Sequence, residues 1–191
     1  MGYTTDFTGE FHLDHSLTPE HKAYLIAFAR TRRMKRNSEL TEKMPDPIRK
    51  AIGLPIGPEG AYYVGSDKDG NCGQSRTDDI LDYNAPPGQI GYDPKIPFLK
   101  RMSKNRERTE KGTCQPGLWC QWAPNEDGTS IIWDGGEKFY EYVPWIVYLI
   151  KNFLEPWGYI LNGIVEWQGE ENEDSGVISI KNNTVHVYPG G

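Results

Sequence analysis

From Tyr159 onward the chain reads as three strand-like runs joined by two short polar turns, and that arrangement leaves little choice of fold. Tyr159 to Gln168 is a long run and Glu170 to Ser175 an acidic turn. Gly176 to Lys181 is a second run, Asn182-Asn183 a tight turn, and Thr184 to Tyr188 the last run. Parallel strands need a crossover of a dozen or more residues, and these connections are much shorter. The three runs therefore pair antiparallel. Further upstream, Gly117 to Ala123, the turn Asn125-Glu126-Asp127-Gly128 and Ser130 to Asp134 repeat the hairpin pattern.

The N-terminus adds a strand and a helix. In Tyr3 to Leu13, Tyr3, Thr5, Phe7, Gly9, Phe11 and Leu13 share one face, and Thr4, Asp6, Thr8, Glu10 and His12 the other. Thr18-Pro19-Glu20 then has the chemistry of a helix start: a capping hydroxyl, a proline at the first helical position and an acid in the first turn. Leu25, Phe28 and Ala29 form the apolar stripe, with Tyr24 beside it. The bases Arg30, Arg32, Arg33, Lys35 and Arg36 suit the final carbonyls, and a solvated helix end explains them more simply than an anion site.

A second helix is expected from about Lys138 to Leu154, with Phe139, Tyr142, Val143, Ile146, Leu149, Ile150 and Phe153 on its apolar face. Pro144 lies inside this run, so the helix either starts near Val143 or kinks there. Pro156 and Gly158 end it. The resulting class is α+β: a mainly antiparallel sheet with two main helices on one face.

Between these patterned ends lies a long irregular middle. Pro45, Pro47, Pro55 and Pro58 break up residues 37–60, and Ala61 to Val64 is at most a short strand. Residues 65–115 are polar and rich in glycine, proline and aspartate, too long for an idle loop. A chain of 191 residues is read as one domain carrying this elaboration.

Charge divides the chain. Cys114 to Gly191 holds 11 acids and 3 bases, whereas Tyr92 to Thr113 holds 7 bases and 3 acids. The basic stretch, with Lys100, Arg101, Lys104, Arg106 and Arg108, is a candidate partner-binding loop. A solvated surface is the plainer reading. With an overall charge of −6, general nucleic-acid binding is disfavoured. The sequence has no eighteen-residue apolar span and no signal-peptide pattern, and three cysteines cannot all pair within one chain. These features lead to the expectation of a cytoplasmic protein.

Few stretches of the chain carry recognisable chemistry. Asp67-Lys68-Asp69-Gly70-Asn71 starts like a calcium loop, but Cys72 stands where the sharp turn needs glycine. Cys72, Cys114 and Cys120 lack zinc-site spacing. His12, His15 and His21 are close in sequence, yet His12 and His15 fall on opposite strand faces. Neither a metal nor a cofactor is expected.

Two constellations remain. Arg76, Asp82 and Asn84 gather a guanidinium, a carboxylate and an amide in one segment suited to a polar ligand. Asp134-Gly135-Gly136-Glu137 joins two carboxylates to two glycines at the expected strand-to-helix junction. They read either as an acid/base pair with exposed helix amides or simply as helix caps. All six tryptophans (119, 122, 133, 145, 157, 167) lie in the C-terminal half, as a pocket wall or as core. On strand alternation, Trp119 and Gln121 share one face, which with Gln115 completes the candidate ligand set.

Thr31-Arg32-Arg33-Met34-Lys35-Arg36, Asp82-Tyr83-Asn84-Ala85-Pro86-Pro87, Gln115-Pro116-Gly117-Leu118-Trp119-Cys120-Gln121-Trp122, Trp133-Asp134-Gly135-Gly136-Glu137-Lys138-Phe139-Tyr140 and Trp157-Gly158-Tyr159-Ile160-Leu161-Asn162-Gly163 resemble stretches of uncharacterised phage and bacterial proteins. The resemblance brings no activity with it. It implies that residues 90–114 are an insertion carrying the basic patch. The expectation is a non-enzymatic binding protein that engages a host protein or sequesters a small anionic ligand. The alternative is an enzyme acting on a nucleotide-like or other polar substrate: Arg76 would clamp it, a tryptophan would stack on it, and Asp134 or Glu137 would act as acid/base.

Overall fold

The computed structural model describes residues 3–30, 116 and 119–190. These form a six-stranded antiparallel sheet and two helices. In chain order the elements are β1 (Thr5–Leu13), α1 (Pro19–Ala29), β2 (Trp122–Pro124), β3 (Ser130–Trp133), α2 (Tyr142–Leu149), β4 (Leu161–Gly169), β5 (Ser175–Lys181) and β6 (Thr184–Pro189). The strands lie in the order β2-β3-β1-β4-β5-β6. The expected α+β class is therefore observed, while the irregular middle falls outside the described residues.

Several local signals act where the sequence places them, although the last turn of α1 carries no base and Arg32, Arg33, Lys35 and Arg36 lie outside the described residues. Thr18 caps α1, its hydroxyl accepting a hydrogen bond from His21 N at 3.2 Å, and Pro19 opens the helix. Tyr24, Leu25, Phe28 and Ala29 are its buried residues. Asn182 and Asn183, at φ 48° and 65°, form the paired left-handed turn between β5 and β6. Asn183 also accepts from Leu161 N at 2.6 Å, tying that turn to the start of β4.

Two boundaries differ from expectation. The first strand of the upstream hairpin begins at Trp122 rather than at Gly117, so strand alternation does not govern Trp119 to Gln121. The second helix starts at Tyr142, with Pro144 in its first turn, where its missing N–H costs nothing. Of the two readings of Pro144, the late start holds. The helix continues as a wider π-type turn over Ile150–Leu154, closed by Glu155 N donating to Ile150 O at 2.9 Å.

β1 sits at the centre of the sheet, pairing with β4 from Thr5↔Gly169 to Leu13↔Leu161 and with β3 at Phe11↔Ile131. Its odd-numbered side chains face the helices. Phe11, Ile131, Val165, Trp167, Ile178 and Ile180 share one buried cluster with Tyr24, Phe28, Trp145, Tyr148 and Phe153 of the helical layer. Rings meet edge to face through much of it, as at Phe28–Trp145 (6.0 Å, 80°) and Tyr24–Phe153 (5.2 Å, 64°). The opposite face carries Asp6, Thr8, Glu10 and His12 from β1 and Asn162, Ile164, Glu166 and Gln168 from β4. Apart from partly covered Glu10 and Asn162, these lie exposed. No described helix is long and apolar enough to cross a membrane.

Candidate functional site

The segment at the end of the β2–β3 hairpin brings several expected site residues together. Asp134 N donates to Gln121 O at 2.9 Å, extending the ladder past the strand ends. The buried Gln121 side chain then bridges two elements. Its Nε2 donates to Glu137 O at 2.9 Å, and its Oε1 accepts from Trp133 Nε1 at 3.1 Å. Asp134 Oδ1 accepts from Gly136 N at 2.9 Å, and Gly135 turns the chain at φ 81°. A Cβ on Gly136 would stand 2.9 Å from Gln121 Cδ and 3.0 Å from Asp134 Oδ1, so only a hydrogen fits. Burial pushes the Asp134 carboxyl up, against the weaker downward pull of the Gly136 N–H and the Arg30 charge.

This arrangement corrects the sequence reading of the glycine pair. The helix begins at Tyr142, so Gly135 and Gly136 expose no helix amides, and neither Asp134 nor Glu137 caps α2. The residue before the helix is Glu141, left-handed at φ 56° and without a side-chain cap. Gln121, read from alternation as sharing a candidate ligand-binding face with Trp119, is instead bonded at both ends of its amide inside the fold. Trp119 is partly buried. The indoles of Trp122, Trp145 and Trp167 are core. Trp122 Nε1 donates to Tyr142 O at 2.7 Å and its ring packs edge-on to Phe7, so it joins sheet to helix rather than lining a pocket. Arg76, Asp82, Asn84 and Gln115, and the basic residues Lys100, Arg101, Lys104, Arg106 and Arg108, lie outside the described residues.

A cavity of about 340 Å³ opens on the other side of the sheet. Asp6 and Thr8 of β1, Glu166 and Gln168 of β4, and Ser175 and Val177 of β5 line it. The register explains the grouping: Thr8, Glu166 and Val177 stand in one row, and Asp6, Gln168 and Ser175 in the next. Gln168 is steadied by donating to Gly169 O and Glu171 O at 3.1 and 3.0 Å. Two carboxylates on an exposed face favour a cationic group and oppose an anion. No single segment could announce this cavity, because its three strands come from both ends of the chain.

A third cluster holds the corner between β1 and α1. His21 stacks on Trp157 at 4.1 Å and 3°, and its Nδ1 lies 2.9 Å from the hydroxyl of Tyr159. That hydroxyl accepts from Thr18 N at 3.1 Å, leaving its proton to donate to a neutral His21. His15 stacks on Tyr159 at 4.6 Å, with Nδ1 3.0 Å from Asp14 Oδ1. Asp14 is held low, first by its bond from Ile160 N. No group of three or more metal-ligating side chains forms among the described residues.

Burial holds the His21 imidazole below its ordinary value, the nearby Glu20 charge pulling weakly the other way. As pH falls below about 6.5 the unfolded chain takes up this proton while the folded chain resists it. The contribution is therefore complete above the ordinary histidine value and is lost as pH drops toward the lowered one. Thermal melts between pH 7.5 and 5.5 should show a steeper loss of Tm for the native chain than for His21→Asn. Equal slopes would dismiss this role of His21.

Comparison of the chain with protein-family models, curated proteins and solved structures returns no match.

Proposed function

We propose that the chain is a non-enzymatic binding protein that engages a protein partner presenting lysine or arginine side chains to the open face of the sheet. The observation that carries this reading is the cavity between Asp6 and Glu166. The surrounding surface supports it. Ile164 stands 58% exposed one strand row away from the cavity, giving an apolar contact beside the charges. Glu10 adds a third carboxylate on the same face, and the turn after β4 carries Glu170, Glu171 and Glu173. An acidic rim around a small apolar contact suits a basic protein surface, steering its approach and fixing its orientation. The resemblance to phage and bacterial proteins is compatible with a host protein as that partner. The small-anion version of the reading is set aside, because these carboxylates would repel it. The enzyme reading has less to draw on: Asp134 Oδ1 already accepts from Gly136 N, and the Gln121 amide beside it is bonded at both ends.

The test is co-purification from the native cells with the wild-type chain and with the Asp6→Asn/Glu166→Gln pair. Both substitutions keep size and remove charge from exposed positions, so the fold is unaffected. A protein recovered by the wild type at low salt, released at high salt and reduced about tenfold or more with the double variant is the expected outcome. Equal recovery by both chains overturns the proposal.

A further inference from the structure

We propose that β6 is a self-pairing edge, on which a second copy of this chain adds its own β6 antiparallel to join two sheets into one of twelve strands. The inference stands apart from the function proposed above, since it uses a different surface and needs no partner protein.

Among the described residues the two ends of the sheet differ. β2, at one edge, is three residues long and finishes at Pro124. β6, at the other, is six residues long and reads Thr184-Val185-His186-Val187-Tyr188-Pro189. It carries no lysine, arginine, aspartate or glutamate and no proline before its last position. Natural edge strands usually rely on such residues to stay unpaired. Val187 is 41% and Tyr188 58% exposed, on opposite faces of the strand.

The register fixes which backbone groups are available. The two-residue turn closes on Lys181↔Thr184, and Gly190 N donates to Ser175 O at 2.6 Å. Hydrogen-bonded pairs alternate along an antiparallel ladder, so Thr184, His186, Tyr188 and Gly190 bond inward to β5. Val185 and Val187 therefore turn both their N–H and their C=O outward. A second β6 centred on His186 sets Val185 opposite Val187 of the copy and the reverse, making four hydrogen bonds. Moving the centre by one residue to either side is poorer. It sets Val187 against left-handed Asn183, whose N–H already bonds Leu161 O, or it turns the Val185 carbonyl onto the ring of Pro189, which accepts but has no N–H to give. Only the register centred on His186 pairs every outward N–H and C=O of Val185 and Val187, so the strand is self-complementary there, as a two-fold interface requires.

Charge permits the contact. The chain carries −6, yet Glu166 is two strands from β6, so in the paired sheet the two Glu166 positions lie five strand spacings apart, about 24 Å. That exceeds the screening length of about 8 Å at physiological salt. Pairing of about 20 Å of strand buries less than a standard interface, so a weak dimer is expected, with a dissociation constant on the order of micromolar.

Sedimentation of the full chain should show a concentration-dependent shift toward twice the 21.7 kDa of one chain. Val187→Pro removes an outward N–H that β5 does not use, and His186→Glu sets two carboxylates face to face. Each should weaken the dimer about tenfold or more while leaving the melting curve of the diluted monomer close to native. If Val187→Pro impairs folding, His186→Glu decides alone. Across the axis the two His186 positions form a non-hydrogen-bonded pair with Cα atoms about 4.5 Å apart, within disulfide reach. His186→Cys should therefore cross-link on mild oxidation. Thr184→Cys, about 13 Å from its copy, should not exceed the wild-type background. A chain monomeric at millimolar concentration, or a dimer indifferent to both edge substitutions, overturns the proposal.

Discussion

Replacing Gly163 by alanine is expected to destabilise the protein by about 3 kcal/mol or more, lowering Tm by roughly 6–12 °C. Gly163 lies in β4 opposite Phe11, at φ 138°, a conformation that alanine adopts only with strain. A Cβ there would also stand 2.6 Å from Glu10 O and 3.1 Å from Phe11 Cα. Both obstacles are backbone atoms of the central strand, so neither moves without disturbing the β1–β4 ladder. Gly135→Ala is the control. Gly135 has φ 81°, but nothing lies within 4 Å of its Cβ position. It should cost only the backbone strain, about 1 kcal/mol. Thermal or urea unfolding of the two variants separates the terms. Equal losses would show that the close approach of β1 to β4 contributes nothing.

That approach also marks the boundary of what the sequence reveals. The alternation of β1, the Thr18 cap, the Asn182-Asn183 turn and the apolar face of α1 are local consequences of side-chain chemistry, and each is legible from a few residues. The place of β1 between β3 and β4 is not local. It pairs Phe11 with Ile131 and Gly163, more than a hundred residues away, through backbone bonds that no pattern in either segment specifies. The acidic cavity inherits this limit, since Asp6 meets Glu166 and Ser175 only once that strand order exists. Gln121 fails for a different reason. Alternation puts it on one face with Trp119, but the strand starts one residue later, and its amide is drawn inward to Trp133 and Glu137 O. A buried amide with two distant partners leaves no periodic trace. The glycine pair misleads likewise: a left-handed Glu141, which composition does not foretell, delays the helix to Tyr142.

Phe7→Ala should cost about 3–4 kcal/mol, because Phe7 is where β1 meets four aromatic rings at once. Its ring centroid lies 5.3 Å from Trp122, 5.4 Å from Trp133, 5.7 Å from Phe139 and 4.9 Å from Tyr142. Three of these contacts are edge to face, the orientation in which one ring's positive edge meets another's negative face. Burial of this aromatic group also acts on Tyr142, whose hydroxyl is pushed up to about 12 by desolvation first and by the Asp174 charge next. Phe7→Leu divides the loss. Leucine retains most of the apolar volume and none of the ring electrostatics, so it should cost about 1–2 kcal/mol, most of it from the lost ring pairs. If Phe7→Leu proves as costly as Phe7→Ala, the retained apolar volume contributes nothing and the ring alone holds the hub. If both fall below about 1 kcal/mol, the seam between β1, the β2–β3 hairpin and the start of α2 is not where the fold is secured. The open acidic face depends on that seam, since Asp6 and Thr8 flank Phe7 on the same strand. Loosening the ring cluster should therefore weaken partner binding in step with stability, whereas Asp6→Asn should weaken binding alone.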